Sequence, residues 1–133
     1  MTTLNAKLLL DKPFAHVIIR EDRILSITFR GFLKPEQADL VSSAIFRAVS
    51  ELKLELILIN QKELKVLSKE IQNQFTSNIL KITPFISRAA IIEPEDIFAA
   101  AGLKTIQKND HSNKGKNFTN EHEAIEWLLK RNQ

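Results

Sequence analysis

Hydrophobic and polar residues alternate along the stretch RILSITFRGF, over residues 23–32. An extended chain places alternate residues on opposite faces, so this pattern predicts a strand in a sheet covered mainly on one side. A partner strand is expected at HVII, which begins at His16, with a tight turn over residues 20–23. The apolar face of the second strand consists of Leu25, Ile27 and Phe29, and its polar face of Ser26, Thr28 and Arg30.

The next segment has apolar residues spaced every three or four positions, which is typical of a helix with one buried face. Gly31 interrupts the strand, and Pro35 stands where the first turn of a helix needs no backbone donor. We therefore predict a helix over residues 35–52. Its buried face is expected to contain Ala38, Val41, Ile45, Ala48, Val49 and Leu52.

A nearly continuous aliphatic run over residues 54–59 predicts a strand buried on both faces, as in a parallel sheet. Leu56 and Leu58 are expected among its most buried side chains. The loop NQKELKVL should follow, and then a second helix over residues 68–82, with Pro84 close behind its end. The inward positions of that helix are Ile71, Phe75, Ile79 and Ile82.

The rest of the chain continues the alternation of strands and helices. ISRAAII predicts a strand, and EPEDIFAAAGLKTI predicts a third helix in which the small residues from Ala99 to Gly102 would allow a close approach to the sheet. Only a very short strand fits at Phe118, and the last helix should begin near Asn120, whose spacing to Glu123 resembles a capping box.

The predicted element order is β-β-α-β-α-β-α-β-α. Strands that alternate with helices imply right-handed crossovers, so the fold class is α/β, with a single mostly parallel, mixed sheet of four or five strands and about four helices. A length of 133 residues with 44% hydrophobic residues suits one domain over residues 1–133, with its core at about 14–130.

Composition removes several kinds of chemistry. The chain has no cysteine, which excludes disulfides, thiolate zinc sites, iron–sulfur clusters and cysteine nucleophiles. No apolar run approaches the roughly 20 residues that cross a bilayer, and the start of the chain has no signal-like apolar region. We expect a cytoplasmic protein without a membrane span.

The net charge of +3 is not concentrated in one patch, because basic and acidic residues are interspersed. The most basic segment contains Lys104, Lys108, Lys114 and Lys116. No aromatic residues that could stack on bases are interleaved with these lysines. A solvated loop is favoured there, and no nucleic-acid partner is predicted.

No catalytic, cofactor-binding or metal-binding residue is predicted. His16, His111 and His122 are widely separated in the sequence, so a metal site would require the fold to gather them. The acidic residues at 121 and 123 stand in the first turn of a helix, where carboxylates are stabilising without any catalytic role. Three glycines are too few for a glycine-rich phosphate loop. Trp127 is expected to pack the last helix onto the sheet and not to form a binding site.

The element order and three local motifs resemble the SpoIIAA-like branch of the STAS superfamily, the fold of bacterial anti-sigma-factor antagonists. The motifs are TFRGFLKPEQADLV, SRAAII and the closing FTNEHEAIEWLL, which together with the element order cover roughly residues 14–130. The resemblance implies a non-enzymatic regulatory domain that works by binding another protein.

The resemblance also draws attention to Ser68. In regulatory STAS proteins, a serine or threonine that opens the helix after the central strand is phosphorylated by a partner kinase. Ser68 stands at about that place, but Leu67 before it and Lys69 and Glu70 after it depart from the pattern of the family. A helix-capping role is favoured over the phosphosite, because a serine oxygen at this position satisfies backbone donors of the first turn.

Two functions from different classes remain open. One is a regulatory module that binds a protein partner, or a second copy of itself as a homodimer, through a sheet edge or the surface near Ser68. The other is a carrier of a small apolar or lipid-like ligand, suggested by the distant similarity of the fold to lipid-binding domains, with Phe75, Phe85 and Phe98 as candidate lining residues. An apolar cavity would favour the carrier, and an exposed apolar patch would favour the module.

Overall fold

The computed structural model describes residues 6–20, 23–108 and 113–130. Six strands in these ranges form one mixed sheet in the order in which they occur along the chain. The first three strands are antiparallel neighbours, and the third to the sixth are parallel neighbours. The strands are β1 (Ala6–Lys12), β2 (Ala15–Arg20), β3 (Ile24–Gly31), β4 (Leu56–Leu64), β5 (Arg88–Ile92) and β6 (Gly115–Phe118).

In the same residue ranges, four helices cover the sheet, and all four were predicted to within a few residues. They are α1 (Pro35–Glu51), α2 (Lys69–Ile82), α3 (Ile97–Lys108) and α4 (Glu121–Leu129), with a short 3-10 turn at Thr83–Phe85 after α2. Pro35 is the first residue of α1, as predicted. Leu52, predicted on the buried face of α1, is instead 46% exposed because the helix ends one residue before it.

The sheet has more strands than the four or five that were predicted, because β1 was not recognised. Leu8 pairs with Ile18 and Leu10 pairs with Val17, so Leu9 is an extra residue in a bulge. The bulge explains why three consecutive leucines do not show the alternation of a strand. β4 also continues to Leu64 through residues that were assigned to a loop.

The core lies on both faces of the sheet. Helices α1, α2 and α3 cover the face that carries Leu25, Ile27 and Ile57. Helix α4 covers part of the opposite face, where Ala124 and Leu128 pack against a cluster from β3, β4 and β5. Burial on both faces of β4 was predicted, and Ile57 and Leu58 are fully buried, with Leu56 at 8% exposure.

Gly102 permits a close approach, but to α2 and not to the sheet as predicted. A Cβ atom at this position would lie 3.3 Å from Nε2 of Gln72 and 3.4 Å from Cβ of Leu67. A run of small residues indicates that another structural element packs closely against the helix, but it does not indicate which element. In this protein the neighbour is the amino-terminal end of α2.

Candidate functional site

Ser68 caps α2 in the way that the sequence favoured. Its Oγ atom accepts a hydrogen bond from the backbone N–H of Ile71 (3.2 Å), and its backbone oxygen accepts one from the N–H of Gln72 (3.0 Å). The backbone of Ser68 is extended, at φ −66° and ψ 161°, which is the conformation of a residue that precedes a helix. The side chain is exposed, so the hydroxyl combines a structural contact with access from solvent.

Leu67 and Gln72 fix the position of Ser68. Leu67 is buried beneath the start of α2, next to Gly102 of α3. The backbone oxygen of Leu67 accepts a hydrogen bond from Nε2 of Gln72 (3.1 Å). The amino-terminal end of α2 is therefore anchored on its inner side while Ser68 faces outward.

The loops that leave the carboxyl ends of β3, β4 and β5 meet at one edge of the sheet, beside Ser68. The backbone N–H of Lys65 donates to the oxygen of Gly31 (2.9 Å), and the N–H of Glu95 donates to the oxygen of Lys62 (3.2 Å). These two hydrogen bonds join the loop after β4 to the end of β3 and the loop after β5 to β4. Gly31 has φ +67°, a left-handed conformation that favours glycine and turns the chain out of β3.

Large apolar side chains on the loops after β3 and β4 and on the first turn of α3 face solvent. We call this set the apolar rim: Phe32, Val66, Ile97 and Phe98, which are 68%, 44%, 75% and 65% exposed. The Asp96 carboxylate accepts hydrogen bonds from the N–H groups of Phe98 (2.8 Å) and Ala99 (3.0 Å), and so fixes the first turn of α3. The rim is thus carried on backbone that is held by hydrogen bonds.

A cleft of about 770 Å³ lies between α2 and the sheet, and it is partly open to solvent. Helices α1 and α3 form its sides, and β3, β4 and β5 form its floor. The cleft explains an unexpected feature of α2. Phe75, Ile79 and Ile82 point inward as predicted, but they are only half-buried because they line the cleft.

Polar contacts hold α1 and α2 together at the side of the cleft. Nε2 of Gln74 donates to the backbone oxygen of Pro35 (2.9 Å) and to Oδ1 of Asp39 (2.5 Å). Nδ2 of Asn78 donates to Oγ of Ser42 (2.6 Å). The two helices are therefore joined by side-chain hydrogen bonds where they border an apolar space.

Gln61 is a polar residue in the floor of the cleft. It is only 4% exposed, and its Oε1 atom has no hydrogen-bond partner among the residues that the structure describes. Gln61 was assigned to a loop and was not predicted as a site residue. The available signal was its position two residues after Ile59 and four after Ile57, which places it on the helix-covered face of β4.

Of the three phenylalanines suggested as lining residues, Phe75 lines the cleft. Phe85 contacts Phe46 edge to face at 5.9 Å near the end of α2 and is 41% exposed. Phe98 belongs to the apolar rim. The cleft is therefore lined more by aliphatic side chains than by the aromatic residues that the sequence suggested.

The histidines are not brought together in the described part of the chain. His16 lies on β2, and Nε2 of His122 is 3.5 Å from a carboxylate oxygen of Glu126 on the surface of α4. His111 is outside the described residues. Within those residues, no group of three or more histidine, aspartate or glutamate side chains is placed to hold a metal ion.

The start of α4 has the Asn120 cap that was predicted and an ion pair that was not. Oδ1 of Asn120 accepts a hydrogen bond from the N–H of Glu123 (2.9 Å), and Glu121 pairs with Arg20 (3.1 Å). The Glu121 carboxylate thus has a structural partner, while the cap involves the backbone of Glu123 and not its carboxylate.

Trp127 packs α4 onto the sheet and lies outside the cleft. Its ring centre is 5.6 Å from that of Phe118 and 5.4 Å from the guanidinium carbon of Arg88. The Nη1 atom of Arg88 also donates to the backbone oxygens of Trp127 (2.5 Å) and Lys130 (2.8 Å). Trp127 is half-buried at the edge of the α4 cluster and not at its centre.

Two solved structures are similar to this chain over nearly its whole length. One is an uncharacterized protein of the DUF3478 family from Shewanella loihica PV-4 with a SpoIIAA-like fold, at a TM-score of 0.65 and 19% identity, covering 97% of this chain and 99% of the other. The second is the anti-sigma factor antagonist SpoIIAA in its unphosphorylated form, at a TM-score of 0.62 and 11% identity, covering 92% of this chain and 96% of the other.

The chain therefore has the α/β, SpoIIAA-like fold that the motifs indicated. No family model matches the sequence, and neither does any curated protein. No helix in the described part of the chain is long and apolar enough to cross a membrane.

Proposed function

We propose that this protein is a non-enzymatic, cytoplasmic module that regulates by binding a second protein through the apolar rim beside Ser68. The observation that supports the proposal is the exposure of four large apolar side chains beyond the carboxyl ends of β3, β4 and β5, on two loops and the first turn of α3. Apolar side chains grouped on a surface are typical of protein interaction sites. A second copy of the chain is the other partner that this surface could take.

The experiment compares partner binding in two variants that remove exposed apolar groups. Ile97→Ser with Phe98→Ser removes half of the rim. Leu80→Ser is the matched control, because Leu80 is 64% exposed on α2 and lies outside the rim. The partner is recovered by crosslinking in the source cells, and its affinity for each purified variant is then measured.

We expect the rim variant to bind about tenfold or more weakly, which is typical for loss of apolar anchors at an interface, and the control to bind like the wild type. Equal binding by the rim variant and the control would show that the rim is not the interface. A dimer in solution that the rim variant dissociates would identify the second copy as the partner.

Ser68 is the phosphosite that we propose for this module. A phosphate would place roughly two negative charges at the amino-terminal end of α2, where the helix dipole favours anions. The support is that Ser68 is exposed and lies two residues after Val66 of the rim. The added charge would then act on a partner bound at the rim.

A second function, the carrier of a small apolar ligand, is favoured by the cleft. Its volume of about 770 Å³ falls in the range of roughly 300–1,000 Å³ that is usual for small-molecule sites. The half-buried inward face of α2 would gain burial from an apolar occupant.

The carrier is tested by filling the cleft. Ile79→Trp places a larger side chain in the cleft, and Leu80→Trp places the same side chain on the exposed side of α2 as the control. Small molecules are extracted from each protein after native purification, and the binding of an apolar fluorescent dye is measured. We expect dye binding and any extracted ligand to be lost only in Ile79→Trp. A wild-type protein that neither binds the dye nor carries a ligand would contradict the carrier function.

A further inference from the structure

The polar groups that border the cleft differ in how well they are paired. Gln107 and Asn117 exchange two side-chain hydrogen bonds, with lengths of 2.6 Å and 3.2 Å, so the amide of Gln107 is paired at both ends. Asn78 donates to Ser42. Gln61 is the most buried of the amides that line the cleft, and its Oε1 atom has no partner among the described residues. The Oε1 atom of Gln74 is also without a partner there, but Gln74 does not line the cleft.

An unpaired buried oxygen of this kind is unfavourable in the free protein. Buried amide oxygens are nearly always hydrogen-bonded, and one that is not calls for a physical explanation. The amide of Gln61 can turn about its last torsion with little resistance, because this sp³–sp² torsion is broad. The oxygen is therefore able to meet a donor that enters the cleft.

The surroundings of Gln61 restrict which donor this can be. The floor of the cleft is otherwise apolar, with Phe29, Ile59 and Ile91 nearby in the sheet. The charged side chains that border the cleft in the described part of the chain are Asp39, Arg47 and Lys81, and all three are exposed. A charged group beside Gln61 would lose its hydration without gaining an opposite charge.

We propose that the cleft binds an uncharged, apolar ligand with one hydroxyl group, and that this hydroxyl donates a hydrogen bond to Oε1 of Gln61. The apolar part of the ligand occupies the space beneath Phe75, Ile79 and Ile82. The Nε2 group of the same amide is a donor, which suits a hydroxyl because a hydroxyl both donates and accepts. The proposal rests on the carrier function and specifies its class of ligand.

Two isomeric probes test this directly. 1-Decanol and 1-methoxynonane have the same atoms and similar length, but the ether has no hydroxyl donor. Binding of each probe is measured by calorimetry on the full chain. The wild type should bind the alcohol roughly tenfold more tightly, the ratio expected from about one net hydrogen bond.

Variants then assign the preference to one residue. Gln61→Met keeps the length of the side chain but removes the amide, and it should bring the two affinities to within about twofold of each other, since the hydrogen bond is gone. Gln107→Met is the matched control, because Gln107 also lines the cleft but its amide is paired with Asn117. The control should keep the preference for the alcohol.

The outcomes separate this inference from the function on which it rests. Binding of neither probe by the wild type would contradict the carrier and the inference together. Equal binding of both probes by the wild type would leave an apolar carrier and overturn the hydroxyl contact. The comparison of the two probes on the wild type needs no variant, so it remains decisive if Gln61→Met fails to fold. A preference for the alcohol that survives in Gln61→Met would also overturn the contact.

Discussion

At the scale of single residues, Ser68 and Gln61 show two different relations between a polar group and its surroundings. Ser68 is exposed and its oxygen has a backbone partner, so the unmodified residue contributes to stability. Gln61 is buried and its oxygen has no partner among the described residues, so it reduces the stability of the free protein. Substitutions at the two positions should therefore change stability in opposite directions.

Ser68→Ala should lower the free energy of unfolding by roughly 0.5–2 kcal/mol, because the N–H of Ile71 loses its partner. Ser68→Asp should leave stability nearly unchanged, since aspartate is also a good helix cap. Urea unfolding measures both. Equal stability of all three proteins would show that the capping contact is not significant in solution.

The same two variants test the phosphosite proposal through binding. Ser68→Asp should weaken or strengthen partner binding while stability stays constant, because the charge itself would be the signal. Mass spectrometry of the protein from its native cells gives an independent result. Absence of a phosphate on Ser68 together with unchanged partner binding by Ser68→Asp would leave Ser68 as a helix cap alone.

Gln61→Met should raise the free energy of unfolding of the ligand-free protein by about 1 kcal/mol, because it removes an unpaired buried polar group and keeps a similar volume. Gln107→Met should lower it, since Gln107 and Asn117 lose two hydrogen bonds. Thermal and urea unfolding give both values. A loss of stability in Gln61→Met would show that its oxygen is paired in solution, for example by water.

These two residues also show what the sequence could and could not predict about the site. The position of Ser68 before a helix with a strong apolar pattern was sufficient to predict the cap. Gln61 stands in the run NQKEL, whose polar composition is typical of a loop. The strand nevertheless continues to Leu64, and Gln61 lies on its helix-covered face, where it borders the cleft.

At the scale of elements, the central strand and the second helix differ in how completely they are packed. β4 has parallel neighbours on both sides and buried residues on both faces. α2 packs its first turn through Ile71 and borders the cleft along the rest of its length. Periodicity predicts which side of a helix faces inward, but it does not predict how far the helix stands from the sheet.

Truncation of β4 should therefore be costly. Leu58→Ala and Leu56→Ala should each lower the free energy of unfolding by about 2–5 kcal/mol, through lost burial and the cavity that remains. Leu80→Ala, at an exposed position of α2, should change it by less than about 0.5 kcal/mol. A loss below about 1 kcal/mol for both β4 variants would contradict the packing around this strand.

At the scale of the whole molecule, one sheet is shared by two unequal helical layers. The layer of α1, α2 and α3 contains the cleft, and the layer of α4 carries Trp127 on the other face. The alternation of strands and helices along the chain predicted a mostly parallel sheet with right-handed crossovers, but it did not predict the order of the strands within the sheet. The cleft could not be predicted, since it depends on the spacing between layers.

The prediction of a single domain over residues 1–133 can be tested because Trp127 reports on only one of these layers. The indole is half-buried against Phe118 and Arg88, so its emission should shift to longer wavelength on unfolding. Helix content measured by far-ultraviolet circular dichroism depends mostly on the other layer, which contains three of the four helices.

A single cooperative domain requires both signals to change at the same urea concentration and with the same slope. Because β3 and β4 contribute side chains to both layers, loss of the sheet should remove both layers together. Separate transitions would show that the α4 layer unfolds independently of the layer with the cleft.

Addition of 1-decanol should then move the common transition to a higher urea concentration in the wild type, since a ligand that binds only the folded state stabilises the whole domain.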